Sequence, residues 1–388
     1  MRIADSQCGP LLRSIKARVV EDSLEAIQSL CQASLNLRCL SIHSTADRGL
    51  DGDYICQTVA QYCPLIESLS TAQWDLTDAG LGALATVHNL KELKVSNFEC
   101  ISASIQRVLQ ANPNISIISL EGDYIDDALV RCIGRCSGSL RSLHLYSCDS
   151  LALSDDVLRD LFRGCLLLEV VELRPLDGDP TATLRDLFYS CQQLVELDVF
   201  VGALPEVAPL VAEPVLYTYY PTLTLLKVSF GGVATSALHD IFTYCTNLRE
   251  VHINYCHQAT DDTIRGLVQH CHNLVAIHLM CCTNVSIAGV LEVATMCTSL
   301  MRLVLTCMRI SDEVLIQVSR TCLSLTSLSL YSSEVRTCTD AGILAILERC
   351  PDLTYLTIHG SMVMPLLSTL DLHNLTQLYP RVNFEIRP

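Results

Sequence analysis

The sequence predicts an α/β solenoid, with short parallel strands forming an inner sheet and helices forming an outer layer. Three observations carry this expectation. A strand-like Leu-x-Leu pattern recurs along the chain, a capped helical pattern follows it, and the two together repeat at a period near 26 residues.

The repeat is fullest between Cys245 and Cys282. Leu248 leads into Val251 and Ile253, which alternate with polar residues as in a half-buried strand, and Cys256 follows at a turn. Thr260 or Asp261 can then cap a helix whose Ile264, Leu267 and Val268 share one face. At Cys271 the pattern starts again with Leu274, Ile277, Leu279 and Cys282. The first apolar position of each unit is read at Leu12, Leu37, Ile66, Leu90, Ile115, Leu140, Leu168, Leu194, Leu223, Leu248, Leu274, Leu300, Leu325 and Leu353, with a degenerate unit near Tyr379. One such unit cannot bury its apolar face alone, but about fifteen stacked units share a continuous core. The expected architecture is therefore a leucine-rich-repeat solenoid over residues 1–388, a horseshoe of the ribonuclease-inhibitor kind. Residues 1–36 are expected as the N-terminal capping region and residues 366–388 as the C-terminal cap.

In chain order, Leu12, Ile15 and Ala17 form a weak first unit carrying Arg13 and Lys16, as a capping repeat should. Helix starts are clearest at Thr77-Asp78, Ser154-Asp155, Thr260-Asp261, Ser311-Asp312 and Thr339-Asp340, with Ile125-Asp126-Asp127 as a variant. The unit between Val199 and Pro221 is irregular. Pro205, Pro209 and Pro214 exclude a normal helix, leaving an extended segment with a short turn at Val207 to Val211. Tyr217, Tyr219 and Tyr220 are kept there as candidates for a partner contact. Val382, Phe384 and Ile386 alternate with polar residues like one last strand.

Composition narrows the function. Half the residues are apolar and few are aromatic, which suits a core of aliphatic and cysteine rows. Many of the 21 cysteines stand three residues before the first leucine of a unit, as at Cys63, Cys165, Cys191, Cys245, Cys271, Cys297, Cys322 and Cys350. Cysteine there acts as a small buried hydrophobe, reduced, in a cytoplasmic or nuclear protein. The net charge of −16 argues against nucleic-acid and anionic-membrane binding. No apolar run reaches the roughly 18 residues that span a bilayer. Phosphate-loop, nucleophile-elbow and His-Glu-x-x-His motifs are absent, so neither an enzyme nor a cofactor is expected.

The motif Cys-x-x-Leu-x-x-Leu-x-Leu-x-x-Cys, followed by Thr/Ser-Asp and a helix returning to Cys, resembles the cysteine-containing class of leucine-rich repeats. Residues 245–282 show it nearly in full, and residues 136–165 and 297–350 show it well. Such repeats occur above all in F-box/LRR proteins, and also in antagonist-of-mitotic-exit proteins and axonemal regulatory subunits. The resemblance implies a protein-interaction module like the substrate-recognition repeats of SCF ubiquitin ligases, which act in ubiquitin-dependent degradation with a Skp-type adaptor and a cullin. A scaffold subunit of a cytoskeletal or axonemal complex is the alternative. The first repeat begins near Cys8 to Leu12, so no recognisable F-box is expected ahead of it. The basic floor that holds inositol phosphate in plant F-box receptors is not expected either.

Residues alternating with the core positions should line the concave face. One column reads His144, Glu172, Asp198, Lys227, His252 and His278. Its neighbours supply Glu196 and Glu250 on one side, and Tyr146, Arg174, Phe200, Asn254, Met280, Tyr331 and His359 on the other. Glu172, Glu196, Asp198 and Glu250 make an acidic centre suited to a basic segment of a protein partner, with Tyr146, Phe200 and Tyr331 as anchors. His252, His278 and Glu250 are ligand types for zinc. Val304 and Ser329 come next in the column instead of a third histidine, so no metal is expected there.

Overall fold

Alternate strand residues pack inward, and each capped helix returns the chain to the start of the next strand. The computed structural model describes residues 11–19, 24–44, 50–72, 74–96, 98–99, 102–122, 125–136, 138–151, 153–176, 180–201, 218–229, 235–308, 310–331, 339–359 and 372–387. Two compact units divide the chain, one of 1–177 with 186–194, the other of 178–185 with 195–388.

The first unit contains, in order, β1 Ser14–Val19, α1 Leu24–Ala33, β2 Cys39–Ser44, β3 Leu50–Asp51, α2 Gly52–Tyr62, β4 Ser68–Ala72, β5 Trp74–Thr77, α3 Asp78–Leu84, β6 Glu92–Ser96, β7 Phe98–Glu99, α4 Ser102–Ala111, β8 Ile117–Glu121, α5 Asp127–Cys136, β9 Ser142–Leu151, α6 Asp155–Gly164 and β10 Val170–Leu176. Its main sheet is parallel in the order β1-β2-β4-β6-β8-β9-β10. The very short β3, β5 and β7 pair with one another ahead of the helices. Helix α7, Thr181–Ser190, falls at the division between the units.

The second unit contains β11 Glu196–Val201, β12 Leu225–Ser229, α8 Thr235–Tyr244, β13 Glu250–Asn254, α9 Asp261–His270, β14 Ala276–Met280, α10 Ile287–Met296, β15 Arg302–Thr306, α11 Asp312–Thr321, β16 Ser327–Tyr331, α12 Asp340–Arg349, β17 Tyr355–His359, α13 Leu372–Leu378 and β18 Asn383–Arg387. Its strands are parallel in chain order, without a register shift from β11 to β18. The last strand expected from Val382, Phe384 and Ile386 is β18, paired with β17.

The expected core positions are buried: Leu248, Val251, Ile253, Ile264, Leu267 and Val268 all lie inside. Thr77 and Thr339 cap their helices by accepting from Ala79 N–H and Ala341 N–H, and Thr260 forms a capping box with Thr263. Ser154 and Ser311 stand at the same position without a side-chain cap bond. In the irregular unit, the three prolines, the Val207–Val211 turn and Tyr217 lie outside the described residues. Tyr219 is exposed, whereas Tyr220 is buried and its backbone N–H donates to Tyr244 O at 2.8 Å, so Tyr220 is a core residue.

The repeat cysteines do more than fill space. Cys191 Sγ donates to Cys165 O at 3.6 Å, Cys271 to Cys245 O at 3.7 Å, Cys322 to Cys297 O at 3.4 Å and Cys350 to Cys322 O at 3.8 Å. Each thiol thus reaches a carbonyl just beyond the preceding helix, where the helix itself supplies no donor. Burial pushes the thiols of Cys165, Cys191, Cys271 and Cys297 up to about 12, which keeps them protonated, Cys191 and Cys271 as donors. Under native conditions an alkylating reagent is expected to modify the exposed Cys307 while leaving these four intact until the chain is denatured. Peptide mass spectrometry after a short pulse checks this, and rapid native labelling of Cys271 would contradict it.

Candidate functional site

Regular register turns the alternating polar positions of each sheet into columns. In the first unit, β9 and β10 bring His144 beside Glu172 and Tyr146 beside Arg174. His144 Nδ1 lies 3.0 Å from Glu172 Oε2, and its Nε2 lies 2.7 Å from Ser142 Oγ. The Tyr146 hydroxyl also donates to the Glu172 carboxylate, and the Arg174 guanidinium lies 5.8 Å from the centre of the Tyr146 ring. Four predicted residues are therefore wired into one polar cluster, with Ser142 as an unforeseen member.

In the second unit the central column runs Asp198, Lys227, His252, His278, Val304, Ser329 and Thr357. Beside it run Glu196, Leu225, Glu250, Ala276 and Arg302 on one side, and Phe200, Ser229, Asn254, Met280, Thr306, Tyr331 and His359 on the other. The columns expected from the sequence are thus present within this unit. The His252 and His278 rings stack with centroids 3.8 Å apart at 16°, and the Tyr331 and His359 rings lie 4.8 Å apart. Asn254 Nδ2 donates to Ser229 Oγ at 3.4 Å.

Glu250 is the hub of this face. Its Oε1 lies 2.7 Å from His252 Nε2, and its Oε2 accepts from Arg302 Nη2 at 2.6 Å. Arg302 belongs to a strand two positions away, with only the methyl of Ala276 between them in the column, so its long side chain can cross. Burial works to raise the Glu250 pKa, but the His252 hydrogen bond and the Arg302 charge outweigh it and hold the carboxyl below its usual range. Burial lowers the His252 pKa and, with the neighbouring imidazole, brings His278 down to about 4. Both rings are neutral at neutral pH.

Two expectations change. Asp198 is only 3 % exposed and lies 3.8 Å from Lys227 Nζ, so it is not a carboxylate offered to solvent. The acidic centre is also less available than its composition implies, because Glu172 is hydrogen-bonded to Tyr146 and lies against His144, and Glu250 is paired with Arg302. Glu196 is exposed, and the remaining predicted residues are half-buried. Arg302 was missed because reading columns by residue type gives no sign of a contact that skips one strand.

No family model matches the chain. It is 23 % identical over 354 residues to GRR1-like protein 1 of Arabidopsis thaliana, covering 87 % of this chain and 51 % of that protein. It is 22 % identical over 354 residues to a transport inhibitor response 1-like protein of Oryza sativa subsp. japonica, covering 80 % of this chain and 59 % of the relative. The chain thus spans between half and three-fifths of the length of these curated relatives. Among solved structures it is similar to that of the Rad7 and Elc1 complex in yeast, at a TM-score of 0.56 and 16 % identity, covering 90 % of this chain and 81 % of that one. Among the described residues no helix is long and apolar enough to cross a membrane. At this level of identity the structural likeness shows the fold, and the fold is that of a leucine-rich-repeat protein.

Proposed function

We propose that the chain is a protein-interaction module that binds a protein partner on the open, concave face of its repeats. The supporting observation is the second unit's face, where polar and aromatic side chains hold one another across strands in fixed positions. Such preorganisation reduces the ordering cost of association. Glu196, exposed and without a partner among the described residues, is the carboxylate best placed for a basic segment, and Tyr331 is the aromatic anchor. The F-box/LRR resemblance and the relatives named above favour a substrate-recognition role with a Skp-type adaptor and a cullin, in the cytoplasm or nucleus. A binding role, not catalysis, is the reading.

Affinity capture of the intact chain from its native cell, quantified by mass spectrometry beside a Glu196→Lys/Tyr331→Ala variant, tests this. Proteins bound through the face should fall about tenfold or more with the variant, the equivalent of losing one hot-spot contact. Circular dichroism should show the variant folded. Recovery of Skp- and cullin-type subunits with the chain supports the receptor role. Stoichiometric recovery of one cytoskeletal or axonemal assembly supports a scaffold instead. Equal capture by both forms rejects this face as the binding surface.

A further inference from the structure

We propose that Glu250, His252 and His278 form a binding site for a divalent transition-metal ion, zinc by the chemistry of its donors. Adjacent parallel strands set the two imidazoles side by side, and one donor atom from each of the three residues lies within 4.8 Å of the others. Zinc bonds of about 2.0–2.2 Å in a tetrahedron separate neighbouring donors by about 3.3 Å, so closing the site takes donor shifts of up to about 1.5 Å and a turn of the two imidazoles out of their stack. The missing third histidine is no obstacle, because two histidines and a carboxylate are a sufficient set for an open site whose fourth position takes water. Val304 continues the column and offers no further ligand.

Three further features fit the ion. His278 Nε2 is closed to solvent and has no hydrogen-bond partner, a cost that coordination would remove. Two imidazole nitrogens and a carboxylate oxygen are donor types that zinc takes. Arg302 grips Glu250 Oε2 and leaves Oε1, now hydrogen-bonded to His252 Nε2, as the oxygen between which and the imidazole the ion would insert. Arg302 would then orient the ligating carboxylate from outside the coordination shell. Its charge and that of Lys227 oppose a second cation, although Lys227 lies beside Asp198. The expected affinity is consequently modest, with a Kd of about 1 µM, far weaker than closed structural sites.

Calorimetric titration of the chelator-treated full chain with zinc chloride tests the site, using His278→Gln, Glu250→Gln and, as a control for thiol binding, Cys281→Ser/Cys307→Ser. The expected result is one equivalent bound, about tenfold or more weaker in the first two variants and unchanged in the third. A measurement on the unmutated chain guards against misfolding of a variant: one equivalent of Co²⁺ should selectively shift and broaden the NMR signals of His252 and His278. Absence of saturable binding, undiminished binding by folded His278→Gln, loss confined to the thiol variant, or paramagnetic shifts on other histidines would each overturn the proposal.

Discussion

Val251→Asp is expected to destabilise the second unit by about 5 kcal/mol or more, because it places a charge in the core with no partner. Val251 is fully buried and lies between Leu226 and Ile277 in adjacent strands, which are also fully buried. Its aspartate would therefore meet apolar side chains on both sides. Repeats depend on their neighbours for a shared core, so the loss should spread to β12 and β14 before it reaches β17. Hydrogen exchange, read strand by strand, checks that gradient. The deficit should also depend on pH. Burial raises the folded-state pKa of the new carboxyl above the unfolded value of about 3.9, so the folded chain binds more protons between the two values. Stability must therefore fall as pH rises through that window, and the mutant should be least impaired in acid. Denaturation curves matching the unmutated chain at neutral pH would falsify the placement of Val251 in the core.

What could be read from the sequence follows from the period. Leu248, Val251 and Ile253 announce a strand because burial on one face demands alternation, and their counterparts at Leu274, Ile277 and Leu279 fix the register by repetition. The columns His252–His278 and Tyr331–His359 then follow from counting residues. The unread features depend on partners one repeat or more away. Arg302 reaches Glu250 across Ala276, 52 residues apart in sequence. Asp198 carries a charge that suggests exposure, yet the strand around it buries it beside Lys227. Strands as short as Leu50–Asp51 leave too few residues for alternation to register at all. The same limit hid the role of the aspartate at Thr260-Asp261 and at Ser311-Asp312, where only half of the arrangement lies in one repeat.

That aspartate supports the second large expectation: Asp261→Ala should cost about 3 kcal/mol, and the loss should be non-additive with Gly289→Ala. Asp261 begins α9, but its carboxylate serves the next repeat, accepting from Ser286 N–H at 2.7 Å and from Ser286 Oγ at 2.6 Å. The arrangement recurs. Asp53 accepts from Thr77 N–H and Oγ1 at 2.9 and 2.6 Å, Asp127 from Ser154 at 3.0 and 2.8 Å, and Asp312 from Thr339 at 2.7 and 2.6 Å. The backward bond is compatible with capping, since the Thr77 and Thr339 hydroxyls donate to the aspartate and also accept from Ala79 and Ala341 N–H, whereas Ser154 makes only the backward bond to Asp127. In three of these four instances the carboxylate lies against a glycine three residues after the cap, whereas Ser154 is followed instead by Val157. A Cβ at Gly80, Gly289 or Gly342 would come within 2.5 Å of Asp53, 2.5 Å of Asp261 or 2.6 Å of Asp312 respectively. Gly289→Ala alone should thus force Asp261 off Ser286 and cost about 2 kcal/mol, even though alanine is the better helix former. With Asp261 already removed, the closest obstacle to the methyl is gone and Val285 Cγ1 at 3.0 Å becomes the nearest atom that must yield. The double variant should then be little worse than Asp261→Ala alone. A denaturant series on the four proteins measures the coupling, and full additivity would mean that the aspartate and the glycine do not share the site.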